Sequence, residues 1–388
     1  MPSGRAVRLL ILGLGHICVD AYAIVWAPMM VYFAVRHRLS QEQASLIPSL
    51  SAVATSSLQP VMAWLSDHGL PRRIALSGPA LAGVGLAFSI MSTDLWAAMF
   101  WLVISGLGVA VYHPEAAVLA GDSLPRHRSL ATGLFLFTGT VGLAAGPGII
   151  PWVNQAYGPA NSWLVALPAL AAVVALWAAF GRSHTRDLSS PKQVGLVEAF
   201  RGKVLPIGLL VGVNTLRAFS TFGVCLGLSW LAVSRGGDEV MAGRFVLAFV
   251  FSGGVGGLLC GYVARQRTEK PLLVLTMLAA LPTIWLIPML SGWHQWAMLV
   301  VAGVLANATI PVTIAMSQQM VPAGARLASS LQMGASWGLG SVLAGVVVGA
   351  IQQIELTFAV MALGMLPAAA CAALVPRRGH DSSASPSS

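Results

Sequence analysis

Several ionisable side chains stand in stretches too apolar to offer them water. His16 and Asp20 lie in ILGLGHICVDAYAIVWAPMM, Glu115 follows Tyr112 and His113 in WLVISGLGVAVYHPEAAVLA, and Arg217 follows GVNTL. A charge in hydrocarbon costs several kcal/mol unless it meets a partner or a wet cavity. Each is therefore a candidate for chemistry. His16 and Asp20 are four residues apart, which places them on one helical face. The rise per residue puts Asp20 about 17 Å past Leu9, near the middle of a span. Such a pair can respond to protons beside a cavity, or it can tie its helix to the bundle. Glu115 can share a face with Tyr112, whereas His113 points elsewhere. A titrating Glu115 would couple proton entry to a conformational change; a fixed salt bridge is the alternative. His113 reads as a packing or gate histidine, with cargo contact as the alternative. The Arg217 guanidinium can grip a carboxylate, phosphate or phosphonate through two parallel hydrogen bonds. It can instead neutralise Asp20 or Glu115. Asn214, Asn307 and Gln332 can orient a solute or bond helix to helix. Trp26 and Trp337 can meet an amphipathic cargo or pack in a core.

The elements that position these residues are membrane-length helices. The chain has 388 residues, 56% hydrophobic and only 9% charged, with mean hydropathy +0.78. Soluble domains run near 25% charged, and here the apolar runs recur along the whole chain. Twelve are expected, at 9–34, 42–65, 74–92, 95–119, 128–153, 161–180, 204–232, 240–264, 271–290, 294–320, 327–351 and 355–375. Each is near or above the roughly 20 residues that cross a 30 Å hydrocarbon layer. The fold class is thus an all-α polytopic membrane protein. It divides into an N-terminal six-helix half (1–180), a linker (181–203), a C-terminal six-helix half (204–375) and a disordered tail (376–388). Within the linker, VGLVEAFRGK can form an amphipathic surface helix or a plain charged loop.

Charge distribution gives orientation. With both termini inside, seventeen of the 22 Lys and Arg fall in inner loops and four in outer loops, leaving Arg217 within a span. That asymmetry is the positive-inside pattern. It implies cytoplasmic termini and a bacterial inner membrane, and it accounts for the net charge of +9 without nucleic acid. The first apolar run lacks a clean cleavage site and is read as a retained helix. The four cysteines have no metal-ligand spacing. No Walker A sequence and no nucleophile–base–orienter set stands out, so neither an enzyme nor a resident cofactor is expected. The halves echo each other: Pro114 and Pro125 are eleven residues apart, as are Pro311 and Pro322, each pair followed by Arg128 or Arg326. Paired repeats are common in secondary transporters, where the substrate site lies between them.

At this level the chain resembles the major facilitator superfamily, and within it the branch of the fosmidomycin-resistance proteins. The resemblance rests on GHICVDAY (15–22), SLQP (57–60), LSDHGLPRR (65–73), GLGVAVYHPEA (106–116) and the Gly-Pro segment at 142–148. It implies a bundle whose central cavity opens to alternate sides. Asp67, Arg72 and Arg73 match the gating motif between the second and third helices, although Ala63 replaces its first glycine and His68 its arginine. Gly142, Gly146 and Pro147 resemble a motif frequent in exporters. Branch relatives similarly place an arginine near position 217. The resemblance implies proton-coupled export, an antiport, of a drug or small organic solute, and Arg217 points to an anionic or zwitterionic one. The chain would act as a monomer with protons, a small solute and membrane lipids as its partners. An organic-anion uniporter or importer, and a sensor or scaffold that does not transport, remain the alternatives.

Overall fold

The computed structural model describes residues 4–67, 70–124, 127–181, 200–264 and 268–376. Most of the expected linker, His68, Arg126, Arg265, Arg267 and nearly all of the expected tail lie outside the described residues. So do the side chains of Asp67, Arg128 and Arg326.

Apolar sequence of this length has one way to satisfy its backbone within a membrane, which is to bond within each segment as a helix. The described residues are accordingly almost all helical, without a strand. The first segment is α1 (Gly4–Ala23) and α2 (Trp26–His37), broken at residues 24–25. The second is α3 (Gln41–Ala52) and α4 (Gln59–Asp67), joined by a π turn at Val53–Ser57. Then come α5 (Arg72–Leu76), α6 (Gly78–Met91), α7 (Leu95–Ser123), α8 (Arg128–Tyr157) and α9 (Leu167–Phe180). The C-terminal series begins with α10 (Val204–Ser234), α11 (Glu239–Val263) and α12 (Glu269–Leu286). It continues with α13 (Gly292–Asn307), α14 (Ile310–Met320) and α15 (Ala325–Ser330). A π turn at Leu331–Ala335 leads to α16 (Ser336–Ala350), α17 (Ile354–Leu363) and α18 (Met365–Leu374).

Ten helical stretches among the described residues are long and apolar enough to cross a membrane. The two remaining expected segments, 42–65 and 74–92, fall on residues 41–67 and 72–91, which are helical but interrupted. The protein is therefore a multi-pass membrane protein. Side-chain caps fix several helix starts. Ser40 and Gln43 form a reciprocal capping box on α3, Asp94 caps α7 through Ala97 N–H, and Asp238 caps α11. These satisfy N–H groups that a helix start leaves without partners.

Two apolar cores result. One is drawn from Leu9 to Phe180; the other spans Leu210 to Val375 and includes Ala27, Met30 and Val31 of α2. Contact between the two series runs mainly along α3 against α16 and α8 against α11. Polar bonds fasten the ends farthest from Gly4: Gln41 Nε2 donates to the carbonyls of Val348 (3.0 Å) and Ile351 (2.8 Å), and Trp230 Nε1 to Ser45 Oγ (3.0 Å). Ser49 Oγ donates to the Ser341 carbonyl at 2.9 Å.

Candidate functional site

The N-terminal series builds a carboxylate clasped by two imidazoles. α1 supplies His16 and Asp20 on one face, as their spacing requires, and α7 supplies His113. Asp20 Oδ2 lies 3.2 Å from His16 Nε2, and Asp20 Oδ1 lies 3.0 Å from His113 Nε2. The other nitrogen of each ring is held by a backbone carbonyl. His16 Nδ1 meets Phe135 O of α8 at 2.8 Å, and His113 Nδ1 meets Val109 O at 2.7 Å. His16 also stacks on Phe135, with ring centroids 4.0 Å apart. α8 can come this close because residue 139 is glycine: a Cβ there would stand 2.5 Å from Asp20 Oδ2. His113 thus meets Asp20 of the first helix, a partner that its reading as a packing or gate residue did not name. Helix α7 continues through Pro114.

Of the alternatives open for Glu115, the structure holds a salt bridge, and its partner is Arg72. Its carboxylate meets neither Arg217 nor the His16–Asp20 pair. Arg72 Nε donates to Oε1 at 2.9 Å and Ser66 Oγ to Oε2 at 3.1 Å. Glu115 therefore joins α7 to α4 and α5. Tyr112 does not serve as its companion either. Its side chain is fully buried and its hydroxyl donates to Leu12 O at 2.7 Å. Arg73 Nε donates to Gly181 O at 3.0 Å. Asp67 belongs to the same neighbourhood by its place in α4.

The C-terminal series builds a different cluster, around Arg217 on α10. This arginine is only 2% exposed. Nε approaches Asn214 Oδ1 and Nη1 approaches Asn307 Oδ1, each at a long 3.4 Å. The guanidinium carbon lies 6.0 Å from the Trp337 ring centre, within cation–π range. Nη2 is buried with no hydrogen-bond partner, and so is Gln332 Nε2. Among the described residues no carboxylate pairs with Arg217. Asn214 Nδ2 in turn donates to Thr313 Oγ1 (2.9 Å) and to Gln332 Oε1. Thr313 was missed in the sequence, where a threonine in an apolar run carries no distinguishing signal. A buried cation with an unmade bond costs free energy. This arrangement can accept an anion that completes the guanidinium's fork.

The remaining expected residues sit between these clusters or in a core. Trp26 is buried in the N-terminal core, packed near Phe33. Gly142 and Gly146 lay α8 against the backbone of α1. An added Cβ would run into Ile17 O at position 142 and into Ala21 O at position 146. On the other side of α8, Pro147 O lies where a side chain on Gly243 of α11 would stand. Gly142 and Gly146 thus occupy a tight crossing within the N-terminal series, and Pro147 one between the two series. Among the described residues, His16, Asp20 and His113 form the one grouping compact enough to hold a metal ion, with ligand atoms within 4.8 Å. Their polar atoms are already paired with one another.

The comparisons with known proteins agree with this architecture. The chain is 23% identical over 372 residues to the MFS-type transporter YfnC of Bacillus subtilis (strain 168), covering 92% of this chain and 90% of that protein. It is 25% identical over 343 residues to the fosmidomycin resistance protein of Escherichia coli (strain K12), covering 84% and 82%. Its fold matches the crystal structure of a bacterial homologue of the human lysosomal transporter Spinster, inward-facing and unoccupied. The TM-score is 0.74 at 17% identity, with 97% of both chains covered. A sequence profile described as Major Facilitator Superfamily matches residues 12–331. This long match, over a bundle with a buried ionisable cluster in each series, places the chain in the Major Facilitator Superfamily of secondary transporters.

Proposed function

We propose that this member is a proton-coupled exporter of a small anionic or zwitterionic organic solute. One observation carries the reading: among the described residues Arg217 is buried without a carboxylate, while the acids that could have neutralised it, Asp20 and Glu115, are occupied elsewhere. A buried cation left unpaired by its own protein is suited to a partner that comes and goes. The solute's negative group completes the Arg217 fork, Asn307 and Gln332 orient it, and Trp337 borders it.

Residues 1–180 and 204–375 act as the two rocking bodies, with α3–α16 and α8–α11 as the seams. The hydrogen bonds of Gln41, Ser49 and Trp230 hold one end shut and must break when the opposite state forms. Protons enter at His16, Asp20 and His113. Glu115, bonded to Arg72, links that half's motion to the gating segment that also contains Asp67 and Arg73. Coupling requires that proton affinity differ between the two states. The loop charges support cytoplasmic termini in an inner membrane. The Gly142–Pro147 segment and the relative named for fosmidomycin resistance favour export. No step calls for a second chain.

A thermal-shift screen on purified protein tests the site. Organic phosphonates, carboxylates, zwitterions and neutral analogues are compared at acidic and alkaline pH. Anions should stabilise the wild type, Arg217→Lys should respond weakly, and Arg217→Gln should not respond. Equal shifts in all three forms would remove Arg217 from the binding site.

A further inference from the structure

The hydrogen bonds of the His16–Asp20–His113 cluster fix where its protons sit, which deepens the proposed coupling and rests on it. A carbonyl oxygen cannot donate. Both ring contacts with Phe135 O and Val109 O therefore require a proton on Nδ1 of each histidine. With Nδ1 protonated, each neutral imidazole presents a lone pair at Nε2. Both lone pairs face carboxylate oxygens, at 3.2 and 3.0 Å. An ionised carboxylate only accepts. Each contact needs one further proton in its gap to be a hydrogen bond rather than two lone pairs pressed together.

We infer that the cluster is a two-proton store, and that its two protons have different mechanical roles. Relative to neutral rings and an ionised Asp20, the cluster carries −1, 0 or +1 as the gaps hold none, one or two protons. The geometry with both gaps at bonding distance is the doubly loaded state. The His16 gap lies within α1, so emptying it leaves the helices in place. The His113 gap spans α1 and α7, so emptying it releases one helix from the other. His113 is also the more exposed ring, with 19% of its side chain accessible against 3% for His16. The proton that moves a helix is thus the one nearer water, and His113, rather than Glu115, is its carrier. Gly139 is the positioning residue that keeps Asp20 and His16 together from the α8 side. The other titratable group that bears on the cluster is the Tyr112 phenol, held by Leu12 O and itself neighboured by the Cys18 thiol. The Glu115–Arg72 pair is bonded within its own neighbourhood.

Histidine-selective 15N NMR of the full-length protein in lipid nanodiscs tests this without any substrate. Signals are assigned by His16→Gln and His113→Gln. Both rings should keep a protonated Nδ1 across the pH range, and Nε2 should be lost in two separate steps. Asp20→Asn should abolish one of the two steps, because its amide fills one gap with a permanent hydrogen. A neutral ring found as the Nε2–H tautomer, or a single step in the wild type, overturns the inference. The wild-type spectrum decides the tautomers once both rings are assigned, and where a glutamine variant fails to fold the asparagine variant at that position assigns the ring. Flux measurements that show no proton coupling would sink the transport reading and leave this hydrogen count standing.

Discussion

Substituting Gly142 with alanine probes a close helix crossing in the site's scaffold. The added methyl carbon would stand 3.0 Å from both Ile17 C and Ile17 Cα, and nearer still to Ile17 O. These are backbone atoms of α1, so no rotamer change relieves the contact. Ordinary contact begins at 3.4 Å, so α8 must retreat from α1 by at least a few tenths of an ångström, and by more for the oxygen. Overpacking of this kind costs about 1–3 kcal/mol. Gly133 lies on the same helix, with nothing within 4 Å of the place a Cβ would take. There alanine gains about 0.5–1 kcal/mol of helix propensity. The two substitutions are chemically identical and should act with opposite signs. Thermal unfolding of both variants in one detergent reads the difference. A Gly142→Ala midpoint equal to or above that of Gly133→Ala would refute the packing argument. The retreat should also lengthen the His16 Nδ1–Phe135 O bond, which crosses the same helix pair, and so disturb the proton cluster.

Other outcomes follow from single contacts. Glu115→Gln removes one charge of the Arg72 pair and should lower stability by about 1.5–3 kcal/mol, the range for bonds to charged groups. In a double-mutant cycle with Arg72→Gln, an interaction energy near zero would show that the pair contributes nothing. Asp238 lies just outside its span. Burial would raise its pKa, but the Met241 and Val240 N–H groups and the Gln155 amide outweigh that and hold its carboxyl below the ordinary 3.8. A depressed folded value means that its contribution is complete above the unfolded value and fades as pH falls through the folded one. Asp238→Ala should therefore cost about 1 kcal/mol at neutral pH, as lost caps do. Its deficit should shrink only in strong acid, as denaturation at graded pH would show. Trp230→Phe should loosen the closed end by removing the bond to Ser45. A thiol introduced by Ala44→Cys, at a buried position of α3 beside that bond, should label faster when Trp230→Phe is also present; equal rates contradict it.

The sequence revealed the helices because membrane length and charge spacing are local properties. The pairing of His16 with Asp20 was legible for the same reason: four residues on a helix suffice to bring them together. Contacts between helices were not legible. His113 was read as lying off the Glu115 face, but its meeting with Asp20 was not legible, because a helical wheel gives a direction and not the neighbour standing there. For Glu115 a fixed salt bridge was among the readings, but the sequence did not name its partner. Glu115 found Arg72 because α7 passes beside the turn between the second and third segments, a fact of tertiary packing. Arg217 was read as either a ligand site or an internal ion pair, and only the placement of both acids separates these. The interruptions at 24–25, 53–57 and 331–335 were likewise hidden, since each falls in sequence as apolar or as small-residue-rich as its flanks.

The central claim is that solute movement is tied to proton movement through this chain. Purified protein in proteoliposomes, with a pH-sensitive dye inside and a ligand identified by thermal shift outside, measures both at once. The account predicts that solute flux drives a proton flux of opposite direction, that an imposed pH gradient accelerates it, and that Asp20→Asn abolishes the coupling. Solute flux indifferent to the gradient, with no proton movement beside it, would contradict the account.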